Sequence, residues 1–137
     1  MNIISYVIGL NSSGGGSGGG GDAPTAEELT LTGICSYAFY YGKFDWLINK
    51  YGNSITTSNI TKGNNMFNFT TVSSIPFTLN CADSSYSASD DFAYMFLNAQ
   101  KLQVAPNITG YLRGVESMFS GCLELHAIPE YNINFDR

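Results

Sequence analysis

The second half of the chain repeats itself. The pattern Met-Phe, a spacer, then a branched residue-x-x-apolar-Pro occurs three times between residues 66 and 129. Met66-Phe67 runs through Val72 to Ile75-Pro76, Met95-Phe96 through Leu102 to Ala105-Pro106, and Met118-Phe119 through Cys122 and Leu125 to Ile128-Pro129. Met to Pro spans 11 positions in the last two copies and one fewer in the first. Every internal methionine opens a copy, and three of the four prolines close one. A unit recurring at this spacing cannot bury its own apolar stripe, so its copies must stack on one another.

Each copy divides into three parts. Phe92, Met95, Phe96 and Ala99 fall at i, i+3, i+4 and i+7, as do Val115, Met118, Phe119 and Cys122. This spacing predicts one face of a short helix, with Asp90-Asp91 supplying an N-terminal carboxylate to the first of the two. Leu102 and Leu125 then fold back onto their helices, and Pro106 and Pro129 stop further helix and fix an extended exit. Polar, β-prone segments follow each proline at Phe77 to Asn80, Asn107 to Leu112 and Glu130 to Phe135, and are expected to pair from copy to copy. The steps are uneven: Met66 to Met95 is 29 residues and Met95 to Met118 is 23. The longer one contains Cys81 to Ser89, a small-polar insertion read as a surface loop.

The earlier part of the chain is less regular. Phe39, Phe44 and Leu47 match Phe67, Val72 and Ile75 in spacing, which makes Ser36 to Lys50 a degenerate first copy without its Met or Pro. Asp22 to Glu28 is polar with a helical start, Glu28 to Thr32 alternates as a strand, and Gly33 is expected to turn the chain. A β-branched run lies around Ile55 to Ile60. Ile3 to Leu10 reads as one apolar strand, tethered by the Gly14 to Gly21 tract, a flexible linker that also resembles an engineered one. Ten residues of such a chain reach about 15–20 Å root-mean-square. A lone strand is not stable by itself, so docking to a partner's edge or groove is the expectation, against a disordered tail. The expected organisation is an N-terminal anchor peptide over 1–12, a linker over 13–22, a cap with the degenerate first copy over 23–60, and repeats over 61–137 that continue or are capped by a partner.

Composition narrows the function classes. Charged residues make up 12% of the chain, and polarity is carried by Asn, Ser, Thr and Tyr. The net charge is −5 and the six basic residues, Lys43, Lys50, Lys62, Lys101, Arg113 and Arg137, are scattered, so nucleic acid is not an expected partner. The apolar stretch at the N-terminus lacks a basic flank and is too short to span a bilayer, so neither an export signal nor a membrane anchor is read. Cys35, Cys81 and Cys122 form no CxxC pair, and His126 is the sole histidine, so zinc and Cys-His nucleophile chemistry lack partners. The cysteines read as small buried hydrophobes, with a Cys35–Cys81 disulfide left open. No cofactor is expected. Asp83, Asp90, Asp91, Glu116 and Glu124 fit neither a paired-carboxylate site nor a calcium loop, and enzymatic activity is not expected. Asn59-Ile60-Thr61 and Asn107-Ile108-Thr109 read as turn and strand composition.

The copy Met118-Phe119-Ser120-Gly121-Cys122-Leu123-Glu124-Leu125-His126-Ala127-Ile128-Pro129 resembles the BspA-like leucine-rich repeats of bacterial and phage surface proteins. Met95 to Pro106 keeps Met-Phe, Leu and Pro but has Ala99 in place of Cys. Met66 to Pro76 keeps Met-Phe and Ile-Pro. The resemblance covers about residues 60–137, and 34–60 more loosely. It implies an α/β fold, a short right-handed leucine-rich-repeat-like solenoid of about three to four irregular repeats behind an extended N-terminal arm. Its core would be Met66, Phe67, Ile75, Pro76, Met95, Phe96, Leu102, Pro106, Met118, Phe119, Cys122, Leu125 and Pro129. It also implies recognition rather than catalysis. With a short apolar peptide on a Gly tether, it suggests a head or tail fibre of a tailed phage. Such a fibre would dock to capsid or tail proteins through Ile3, Ile4, Tyr6, Val7, Ile8 and Leu10, form a homo-oligomer, and sit on the virion surface. The competing expectation is a binding module on a bacterial cell surface. Either would meet a host glycan or surface protein, for which Tyr37, Tyr40, Tyr41 and Trp46 are the candidate contact residues, against a reading of the four as core.

Overall fold

The computed structural model describes residues 23–82 and 91–133. The expectations for the anchor peptide, the Gly tract, Asp83, Asp90 and Arg137, and for most of the Cys81–Ser89 insertion, fall outside those residues. The fold is small and mixes helix with strand. It contains one α-helix, α1 (Asp45–Tyr51), among the described residues. Its strands are β1 (Thr30–Ile34), β2 (Thr56–Lys62), β3 (Leu79–Asn80), β4 (Ile108–Thr109), β5 (Tyr111–Leu112) and β6 (Asn132–Ile133). They form three two-stranded parallel sheets, β1 with β2, β3 with β4, and β5 with β6. An isolated parallel bridge, Ile60 to Cys81, links β2 to the segment after β3.

The Met-Phe segments do not form the short helices that their spacing predicts. They are turns, and the reason lies in where the backbone donors go. In an α-helix every N–H bonds four residues back within the same segment. Here alternate N–H groups reach the next turn instead. Cys35, Tyr37, Phe39 and Tyr41 donate to the carbonyls of Lys62, Asn64, Met66 and Asn68. Gly63, Asn65, Phe67 and Phe69 donate to Asp91, Ala93, Met95 and Leu97. Phe92, Tyr94, Phe96 and Asn98 donate to Gly114, Glu116, Met118 and Ser120. All of these bonds are 2.7–3.2 Å long. The intervening N–H groups bond three residues back, as Tyr40 does to Tyr37, Thr70 to Phe67, Ala99 to Phe96 and Cys122 to Phe119. Asp91 is therefore not a helix N-cap; its carbonyl accepts the Gly63 N–H at 2.8 Å.

The helical spacing still selects the inward face. Phe39, Phe67 and Phe96 are fully buried and stack on one another, with Phe119 below. Their centroids lie 5.1, 5.4 and 5.2 Å apart, at interplanar angles of 2°, 5° and 1°. Beside this stack run Ala38, Met66, Met95 and Met118, all buried. Offset aromatic pairs add about 0.5–1.5 kcal/mol each beyond the area they bury. Phe77 tilts against both Phe39 and Phe67 at 6.4 Å. The Phe119 end is looser: Phe119, Cys122, Leu125 and Pro129 are half-buried, and Tyr131 lies 6.3 Å from the Phe119 ring.

The rest of each copy also keeps register. Ser74, Val104 and Ala127, each two residues before a proline, form parallel bridges in sequence. Leu102 and Ile75 are buried and Pro106 is buried, whereas Pro76 is exposed and its ring lies over Gly52. The exits after the prolines pair as Leu79 with Ile108 and as Leu112 with Ile133. At the N-terminal side, Thr25 and Glu28 bond reciprocally, each side chain to the other's N–H, the pattern of a capping box on a single turn. The first strand lies two residues later than the alternation predicts. Gly33 does not turn the chain but sits inside β1 with φ +74° at a register shift against β2.

Two tests follow from this packing. Phe96→Ala removes a ring held between two others and should cost about 3–5 kcal/mol in urea unfolding, whereas Leu123→Ala, at 75% exposure, should stay within about 0.5 kcal/mol. Gly110 has φ +97°, and a Cβ there would lie 2.0 Å from the Cys81 carbonyl oxygen. Gly110→Ala should therefore lower stability by about 1–3 kcal/mol or more, measured by thermal melting.

Candidate functional site

The turns carry two columns of residues with left-handed backbone, two positions before and two after each stacked phenylalanine. The first column is Tyr37, Asn65, Tyr94 and Ser117; the second is Tyr41, Phe69, Asn98 and Gly121. Their φ values run from 51° at Ser117 to 77° at Gly121. This conformation lets alternate donors face the next turn. Gly and Asn adopt it readily, while Tyr and Phe do so at a cost. None of the eight column residues is Asp, Glu, Lys, Arg or His, and the Tyr94 hydroxyl in the first column donates to the Glu116 carboxylate.

Aromatic side chains cluster at the head of these columns. Tyr37 is 52% exposed, Tyr41 57% and Phe69 38%. Tyr37 meets Tyr40 edge-on at 5.2 Å, and Tyr40 meets Tyr41 at 4.4 Å. Tyr41 and Phe69 stack at 4.9 Å and 12°. The Tyr40 phenol lies above its ordinary range, through desolvation first, then a hydrogen bond with Tyr41 and the adjacent phenols. Three of the four aromatics expected to face a ligand thus come together. The fourth, Trp46, is on α1, partly buried against the core, and has no ring contact with the cluster. Phe69 was not singled out by sequence reasoning. Its signal was available, because Phe69 follows Phe67 by two positions as Tyr41 follows Phe39.

Below the cluster, the second turn is tied down by polar contacts. The buried Asp45 carboxylate accepts from Thr70 Oγ1 at 2.6 Å, Thr71 N at 2.8 Å and Thr71 Oγ1 at 2.7 Å. Asn68 Nδ2 donates to Asn65 Oδ1 at 2.7 Å, and the buried Asn68 Oδ1 has no hydrogen-bond partner.

The remaining chemically active residues are dispersed. Among the described residues no three His, Cys, Asp or Glu side chains come together as a metal site. Glu116 accepts from the Tyr94 hydroxyl at 3.2 Å, and Glu124 pairs with Lys101 at 3.9 Å across solvent, an interaction worth little. His126 is exposed. No helix among the described residues is long and apolar enough to cross a membrane.

All three cysteines are free thiols. Burial pushes the Cys35 thiol from 9.0 up to about 11, and pushes Cys81 up to about 12 with Cys35 as a second cause. Cys122, half-buried and donating to the Phe96 carbonyl at 3.0 Å, is raised by desolvation. Tyr131 is raised by burial, its hydroxyl donating to the Pro106 carbonyl at 2.7 Å. Unfolding releases these groups to ionise at their ordinary values, so above about pH 9 the unfolded chain binds fewer protons than the folded one. Their contribution is therefore complete below about pH 9 and lost progressively toward pH 11–12. Melting temperature should fall with rising pH across that window, and the Cys35→Ala, Cys81→Ala double variant should show a shallower fall. At pH 8 the native Cys35 and Cys81 should resist thiol reagents that label the denatured chain.

No family model, curated protein or solved structure matches this chain.

Proposed function

We propose that this chain is a non-enzymatic recognition protein: a short right-handed solenoid of leucine-rich-repeat type, whose stacked turns hold an uncharged, aromatic-headed face toward a partner. The observation that carries this reading is the turn ladder itself. Four turns in register, with an inward Phe in each and Met beside it in three, and with outward columns free of Asp, Glu, Lys, Arg and His, make a display surface. The dispersed titratable groups of the described residues offer no comparable constellation.

The setting we propose is a tailed-phage fibre, fixed to the particle by the peptide containing Ile3, Ile4, Tyr6, Val7, Ile8 and Leu10 and assembled as a homo-oligomer. Its support is the likeness of the Met-Phe…Pro copies to BspA-like repeats and the apolar peptide on its glycine tether. A bacterial cell-surface adhesin would use the same face, and differs in what the N-terminal peptide does. Deleting residues 1–12 from the full chain should abolish incorporation into the particle while the circular dichroism spectrum and melting temperature of the remainder stay unchanged. Undiminished incorporation would sink the anchor role and leave the adhesin reading.

A further inference from the structure

We draw no further inference here: the strongest candidate, the exposed aromatic patch of Tyr37, Tyr41 and Phe69 at the head of the turn columns, carries nothing, because Tyr41 stacks on Phe69 and meets Tyr40 edge-on and nothing in the structure shows what covers the rest of the patch.

Discussion

The structure depends on the division of each turn's backbone donors between two jobs. Alternate N–H groups either close four-residue turns or bond to the next turn, so one segment is both locally folded and part of a ladder. A helix would satisfy its donors alone and leave nothing to hold its neighbour. The requirement for left-handed residues two positions either side of the phenylalanine follows from this alternation. So does the ring stack, because turns fixed in register by four bonds at each junction bring Phe39, Phe67, Phe96 and Phe119 face to face. Removing one ring therefore disturbs two interfaces, while the ladder bonds keep the remaining turns aligned.

The inward residues were legible in the sequence because side-chain periodicity survives a change of backbone. Positions at i, i+3, i+4 and i+7 share a face in a helix, and here the same four, Phe92, Met95, Phe96 and Ala99, are all fully buried in a chain of turns. What periodicity could not distinguish was helix from turn, since both place those residues inward. The distinguishing information lay in the outward residues. A helix of this length has no use for Asn65 two positions before Phe67 or Asn98 two positions after Phe96, whereas the two left-handed columns do. Reading Asn, Ser and Gly as backbone markers rather than as polar surface would have exposed the columns, and with them Phe69. Gly33 was misplaced for a related reason: a register shift within β1 uses a glycine's positive φ as well as a turn does. Trp46 was grouped with the tyrosines by proximity in sequence, yet α1 carries it to the core.

The exits after the prolines show a different balance. Leu79–Asn80, Ile108–Thr109, Tyr111–Leu112 and Asn132–Ile133 are only two residues each, too short for strand propensity to define them. Their pairing is inherited from the turn ladder and from the bridges at Ser74, Val104 and Ala127, which deliver each exit in register. Side chains then reinforce it. Thr57 Oγ1 donates to the Thr78 carbonyl and accepts from Asn80 N, both at 2.7 Å, and Asn80 Oδ1 accepts from Thr109 at 2.9 Å. Threonine and asparagine thus do across the strands what a longer apolar strand would do by burial.

Uneven copy lengths are compatible with this order because the variation falls where no ladder must be kept. From stacked phenylalanine to bridge residue the distance is nearly constant: Phe67 to Ser74, Phe96 to Val104 and Phe119 to Ala127 differ by one position at most. The difference between the 29-residue and 23-residue steps accumulates after the proline, beyond the bridge. Length changes there cost little, since lengthening a loop adds only slowly to its closure entropy. The one-residue difference between the first interval and the other two is absorbed with both the Ser74–Val104 bridge and the Phe67–Phe96 stack kept. The Met-Phe to Pro segment thus varies by a single residue from copy to copy, and the connections between segments take the larger variation.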